Sequence, residues 1–165
     1  MTLRLNETLP YVQSTYPHPG RLEWIGIRPG KRQEMIEVET ARLITDHGIE
    51  GDHYCTREIR SDRQVTLIQA EHLLIIATLC KQEKILPSLL RRNLVISGIN
   101  IADLKHKHFR LGNTELAGTG FCYPCFRMEE NLGRGGYNTV RGHDGITARV
   151  IHGGWISTGD LLAVI

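Results

Sequence analysis

The segment ITARVIHGGWISTGDLLAVI, Ile146 to Ile165, decides the fold. Ile146 to Ile151 alternates apolar and polar side chains, the period of a half-buried strand. Gly153-Gly154 and Thr158-Gly159-Asp160 are turn signals, and LLAVI closes the chain as a further strand. Short strands joined by Gly-rich turns imply an antiparallel sheet. Closing that sheet into a barrel removes its exposed edges.

Reading outward from that segment, strands recur. RLEWIGIR, Arg21 to Arg28, has strand composition and stops at Pro29-Gly30. MIEVETARLIT, Met35 to Thr45, opens with period-two alternation and leads into a polar loop, DHGIEGDHYCTREIRSDR. RQVTLI, Arg63 to Ile68, is a strand, and NLVIS, from Asn93, reads as a buried one. FRLGNTELAG has a hairpin signal at Gly112-Asn113. One helix stands out in QAEHLLIIATLCKQ, where Leu73, Ile76, Ala77 and Cys80 fall at helical spacing. A second, short one starts at Pro87, a favoured first position, and runs through SLLRR. Residues 1–20, with Pro10, Pro17, Pro19 and Gly20, read as an extended N-terminal arm. The expected fold is mainly β, a closed barrel with one or two main helices, in a single domain over residues 1–165.

The chain has 165 residues, enough to bury a sizeable core. Twenty basic residues against 18 acidic ones mark neither a general nucleic-acid binder nor a membrane-surface binder. The longest apolar run, LLIIATLC, is far short of the ~18 residues that a membrane span needs. MTLRLNETLPYVQ lacks the apolar core of a signal peptide. Four cysteines, Cys55, Cys80, Cys122 and Cys125, are too few and too unevenly spaced for a disulfide scaffold, so a reducing, cytoplasmic setting is expected.

GTGFCYPCFRMEE, Gly118 to Glu130, is the most chemically loaded stretch. Its Cys-x-x-Cys has four readings: a dithiol redox pair, half of a zinc site, two packed thiols without a role, or one functional thiolate. The redox use normally opens a helix in a thioredoxin-like frame, whereas these flanks read as strand and loop. Zinc needs four ligands, and no second Cys pair or spaced His pair is present. For a single thiolate Cys125 is the better candidate, with Arg127 close by to stabilise it. Cys80 fits the apolar face of its helix, and Cys55 stays open.

Three further stretches could line a site. GIEGDHY brings Asp52 and His53 behind two glycines, or is a plain turn. RRNLVIS places Arg91, Arg92 and Asn93 just before a buried strand. The arginines suit phosphate or carboxylate, and Asn93 suits a heterocycle edge, or this is a solvated helix end. LGRGGYNTVRGHDGI is a Gly-rich loop able to cradle an anion, but it lacks the spacing and lysine of a P-loop. A thiol, several arginines and a Gly-rich loop together suit an anionic cofactor held near a sulfur ligand.

The order of these pieces resembles the MOSC domain, the C-terminal module of molybdenum cofactor sulfurases that also occurs as small stand-alone proteins. The resemblance runs from about Gly26 to Ile165. It rests on GIEGDHY, DRQVTLIQAEHL, RRNLVISGIN, FRLGNTELAGTGFCYPCFRME and the closing GHDGITARVIHGGWISTGD. It implies a barrel-rich fold and a role with the molybdenum cofactor (molybdopterin) or in sulfur transfer. Cys125, directly after Pro124, matches the family cysteine that ligates molybdenum or carries a persulfide. Arg91 and Asn93 match a cofactor-contacting pair, and Asp52, His53 and Arg63 match residues lining the same pocket.

The chain has no aminotransferase-like domain, so no pyridoxal phosphate site is expected, and no ferredoxin-like extension. The resemblance therefore implies a reductase of N-hydroxylated small molecules that takes electrons from a separate flavin or iron–sulfur partner. Its alternatives are a persulfide carrier served by a cysteine desulfurase and a non-enzymatic cofactor-binding module. Neither nucleic acid nor membrane is expected as a partner. The pocket is expected where the Asp52–His53 loop, Asn93 and Cys125 meet, with the stretch Gly133 to Gly145 at its mouth.

Overall fold

The computed structural model of the chain describes residues 5–57 and 61–165. In chain order its elements are α1 (Leu5–Ser14), β1 (Gly20–Ile27), β2 (Ile36–Val38), β3 (Thr40–Ile44) and β4 (Gly48–Ile49). A 3-10 turn (His53–Thr56) precedes β5 (Val65–Gln69), α2 (Ala70–Leu79), α3 (Pro87–Leu90) and β6 (Leu94–Ser97). The second half holds a 3-10 turn (Ile101–Leu104), β7 (His108–Leu111), β8 (Thr114–Phe121), α4 (Phe126–Leu132), α5 (Gly136–Val140), β9 (Ile146–His152), β10 (Gly154–Ser157) and β11 (Leu161–Val164).

Seven strands close a barrel in the order β1, β11, β7, β8, β9, β5, β6 and back to β1, with β2 added beyond β1. A separate sheet has the order β10, β3, β4. The segment Met35 to Thr45 thus holds two strands that pair in different sheets. Barrel neighbours are antiparallel except β5 and β6, whose parallel pairing follows from the α2–α3 crossover between them. The hairpin at Gly112-Asn113 forms as expected, with Gly112 at φ 56°.

Period-two alternation explains the two cores. Val65 and Leu67 of β5, with Leu94 and Ile96 of β6, point into the barrel beside Leu22, Phe109 and Val150. Ile68 and Val95 point outward and are covered by Ile76, Ala77, Leu90, Met128 and Val140 from the helices. NLVIS reads as continuously apolar because both of its faces are covered. Within α2, Ile76 and Ala77 are buried, and Leu73 and Cys80 pack on the same cluster, which is the face that the spacing predicts. Gly145, at φ 81°, lies so close to β5 that a Cβ there would run into the Leu67 carbonyl oxygen.

Three elements differ from expectation. Residues 1–20 are not an extended arm: Leu5–Ser14 is helical, and residues 1–4 lie outside the described ones. Only Pro10 falls within that helix; Pro17 and Pro19 follow its end, where the Ser14 and Thr15 hydroxyls both donate to the Tyr11 carbonyl. Tyr16 then packs against the barrel core and Lys107 Nζ donates to the Gln13 carbonyl at 2.8 Å, which ties the segment down. The polar loop after β3 contains β4 and the first 3-10 turn, and its residues 58–60 lie outside the described ones.

The residues after Cys125 are helical rather than strand and loop. Met128 and Leu132, one turn apart, are both buried, and the helix ends at Gly133 with φ 87°. The Glu129 carboxylate then accepts from the Gly135 and Tyr137 amides at 2.7 and 3.0 Å, which orders the Gly-rich stretch and starts α5. Those two bonds hold its carboxyl below the usual range. Among the described residues, no helix is long and apolar enough to cross a membrane.

Candidate functional site

Two cavities open where the end of β1, the turn after β4, the start of β5 and the α3–β6 corner meet. The first, of about 220 Å³, is bounded by Asp52, Arg63, Thr66, Arg91 and Asn93, with Arg28 and Arg57 at its side. The second, of about 340 Å³, is bounded by Arg28, Lys31, Arg32, Arg57, Arg91 and Arg127, with His53. No carboxylate lines this basic bowl among the described residues. Arg28, Arg57 and Arg91 border both cavities.

Asn93 and Asp52 hold the floor. Asn93 Oδ1 accepts from the Thr66 amide at 3.1 Å and from the Thr66 hydroxyl at 3.0 Å. Its Nδ2 donates to the Gly26 carbonyl and to Asp52 Oδ2, both at 3.1 Å. Asp52 also accepts from the Arg28 and Tyr54 amides, both at 2.9 Å. The Asn93 amide thus makes two bonds through each of its polar atoms, all within the protein. It borders the first cavity but acts on the scaffold, clamping β1, β5 and the Asp52 turn together. The heterocycle-edge role expected for it has no side-chain hydrogen-bonding capacity left to serve it.

Arg91 occupies the end of α3 in the left-handed region, φ 57° and ψ 35°, a position that usually takes glycine. Arg32, also on the basic bowl, has φ 62°. Burial lowers the pKa of the Arg91 guanidinium, and so does Arg28 beside it, while Cys125 pulls the other way. Several cations are therefore crowded into a partly desolvated space. Arg28 Nε is buried there without a hydrogen-bond partner.

Cys125 is exposed and precedes α4 as its capping residue, without a side-chain capping bond. It lines neither cavity, but it lies within electrostatic reach of Arg91. Arg127, two residues on, lines the bowl with Arg91 and forms an ion pair with Glu130 at 3.0 Å. Cys122 is 4% exposed, and burial pushes its thiol pKa up, partly offset by Arg92 and Arg63. Both thiols are free, and the chain between them makes no turn or bend. Burial, with Asp52 and Glu50 nearby, also raises the Cys55 thiol. Of these three, only Cys125 combines exposure with a cationic neighbour.

The structure thus gathers Asp52, Arg63, Arg91 and Asn93 around one cavity and His53 with Arg91 around the other, and leaves Cys125 outside both linings, within electrostatic reach of Arg91. Sequence reasoning missed Arg28, Lys31, Arg32 and Arg57. Three of them lie within RPGKR, 28–32, where basic residues flanking a turn were an available signal. The Gly-rich stretch 133–145, expected at the mouth of this site, lines neither cavity.

The sequence matches the MOSC domain family model over residues 45–163. No match is found among curated proteins. Among solved structures, the fold is similar to that of the YuaD protein from Bacillus subtilis, with a TM-score of 0.78 and 20% identity over 88% of this chain and 94% of that one. YiiM from Geobacillus stearothermophilus aligns with a TM-score of 0.73 and 13% identity, over 89% and 75% of the two chains. YiiM from Escherichia coli gives 0.69 and 20%, over 90% and 70%.

Proposed function

We propose, from the premise that this chain belongs to the MOSC domain family, that it binds the molybdenum cofactor, with Cys125 as the thiolate ligand to molybdenum. MOSC domains are associated with that cofactor in general. The observation that carries the reading here is an exposed Cys125 within electrostatic reach of Arg91, which itself lines a bowl whose described walls are basic throughout. A phosphate-bearing cofactor fits this donor set. Its phosphate oxygens would meet Arg28, Arg57 and Arg91, and an anion there would satisfy the orphaned Arg28 Nε.

When bound, the cofactor supplies two-electron chemistry at its metal. The chain's own residues hold and orient it. Arg91 and Arg28 neutralise the anion, Asp52 and Asn93 keep the Arg28 backbone in place, and Cys125 presents its sulfur to solvent. His53, on the bowl, is the titratable group placed to hold or pass a proton to a bound small molecule. In this reading the protein reduces N-hydroxylated small molecules with electrons from a separate flavin or iron–sulfur protein. Its four free cysteines fit a reducing, cytoplasmic setting.

The experiment is metal analysis of protein made in a cofactor-competent host, with the wild type beside Cys125→Ser. Molybdenum that co-purifies with the wild type and is lost from the variant supports the reading. Metal-free wild type that instead gains one sulfur atom at Cys125 on incubation with a cysteine desulfurase replaces it with a persulfide carrier. Molybdenum retained equally by both proteins removes Cys125 as the ligand.

A further inference from the structure

A third cavity, of about 350 Å³, shares no lining residue with the two described above. Its walls are largely apolar: Ile101 and Ala102 on one side, the aromatic rings of Phe121 and Tyr123 on another. Its polar residues are His72 and Asp144, with Arg141 at the edge. Here the Gly-rich motif RGHDG has its place. Gly142 and Gly145 have φ of 86° and 81°, and the bend they make sets His143 against His72, ring centres 5.2 Å apart, with Asp144 in the cavity wall.

Among the described residues, this region holds three of the four buried side-chain polar atoms without a hydrogen-bond partner. Those four are Arg28 Nε, His72 Nδ1, Arg92 Nη2 and Asp144 Oδ2. Two of these belong to residues lining this cavity. A third belongs to Arg92, whose Nε donates to the Asp144 carbonyl at 2.9 Å. Asp144 is 5% exposed. A buried polar group left without a partner carries its full desolvation cost, so such a cluster calls for a ligand that pairs with it. His72 and Asp144 both line the cavity, so a ligand seated there lies against the two residues that carry these unpaired atoms.

We infer that this cavity is a binding site for a flat, uncharged heteroaromatic compound with a donor and an acceptor on one edge, packed against Phe121 and Tyr123 and hydrogen-bonded by His72 and Asp144. The surrounding charge argues against a cation, because Arg92 lies behind Asp144, Arg141 is at the edge and Lys105 Nζ sits 4.7 Å from the Phe121 ring centre. An anion would meet Asp144. Burial raises the Asp144 carboxyl pKa and lowers that of His72. The inference is independent of the cofactor reading, since the two sites share no residue.

The test uses 2-quinolinone as a flat, neutral probe with a lactam edge, N-methylquinolinium as its cationic counterpart and 2-naphthoate as the anionic one. Binding to the whole chain is followed by calorimetry and by amide chemical shifts. The expected result is saturable binding of 2-quinolinone, with shifts at Phe121, Tyr123, Gly142 and Gly145, and at least tenfold weaker binding of both charged probes. Tyr123→Ala, at a residue already 68% exposed and so safe for folding, should weaken 2-quinolinone about tenfold. Asp144→Asn should weaken it by a similar factor if that variant folds. Absence of saturable binding overturns the inference, and so does equal or tighter binding of a charged probe. Shifts centred on Arg28 and Arg57, or a Tyr123→Ala variant that binds as the wild type does, overturn it as well.

Discussion

Asn93 Nδ2 and Asp52 Oδ2 are hydrogen-bonded at 3.1 Å, both inside the molecule, and this contact joins the start of β6 to the turn that follows β4. Removing it exposes what the pair does. Asn93→Ala leaves the Gly26 carbonyl and one Asp52 oxygen short of donors and should cost about 2–3 kcal/mol in denaturant unfolding of the cofactor-free protein. A variant of unchanged stability that has lost only cofactor binding would return Asn93 to the contacting role that its sequence position suggests.

Arg91 separates a structural cost from a functional one. Its φ of 57° suits glycine better than any residue with a Cβ. Arg91→Gly should keep or raise stability, by up to ~1 kcal/mol, while anionic cofactor binding weakens about tenfold to a hundredfold, the range expected for a lost charge-assisted bond. Arg91→Ala should show the same binding loss without the gain. A lower melting temperature in Arg91→Gly with unchanged binding would make the guanidinium a scaffold element.

The two cysteines of CYPC should behave oppositely. Cys125→Ser changes an exposed side chain, so stability should hold while molybdenum retention is lost. Cys122→Ser replaces a buried thiol with a more strongly hydrated hydroxyl and should cost roughly 1–2 kcal/mol, with cofactor retention kept. Equal loss of cofactor in both variants would favour a dithiol pair.

His72 makes stability depend on pH. Burial, and His143 beside it, lower its pKa in the folded chain, with Glu71 opposing. The folded state therefore binds that proton less readily than the unfolded one. Its contribution is present above the unfolded histidine value of about 6.5 and is lost as pH falls through the lower folded value. The wild type should lose more stability than His72→Gln between neutral pH and about pH 5. Parallel stability profiles would contradict the assignment.

Much of this was legible in the chain itself, because strand alternation, helical spacing and turn glycines are local properties. The strand Ile146–His152, the turn at Gly112, the apolar face of α2 and the proline start of α3 all follow from side chains a few residues apart. Cys125 and Arg91 could also be singled out, one by its Pro-Cys setting and the other by its place before a buried strand. Tertiary structure alone decided what surrounds them. Arg28, Lys31 and Arg32 reach Arg57, Arg91 and Arg127 only because the barrel closes and brings the end of β1 against the α3–β6 corner. Asn93 turned inward because Thr66, Gly26 and Asp52 were waiting with complementary groups, and a buried amide takes every bond in reach. The Gly-rich loop went to another cavity because Glu129 captured its amides and Gly145 packed against Leu67. Sequence spacing specifies period and punctuation, whereas which distant polar groups satisfy one another is settled only when the chain closes on itself.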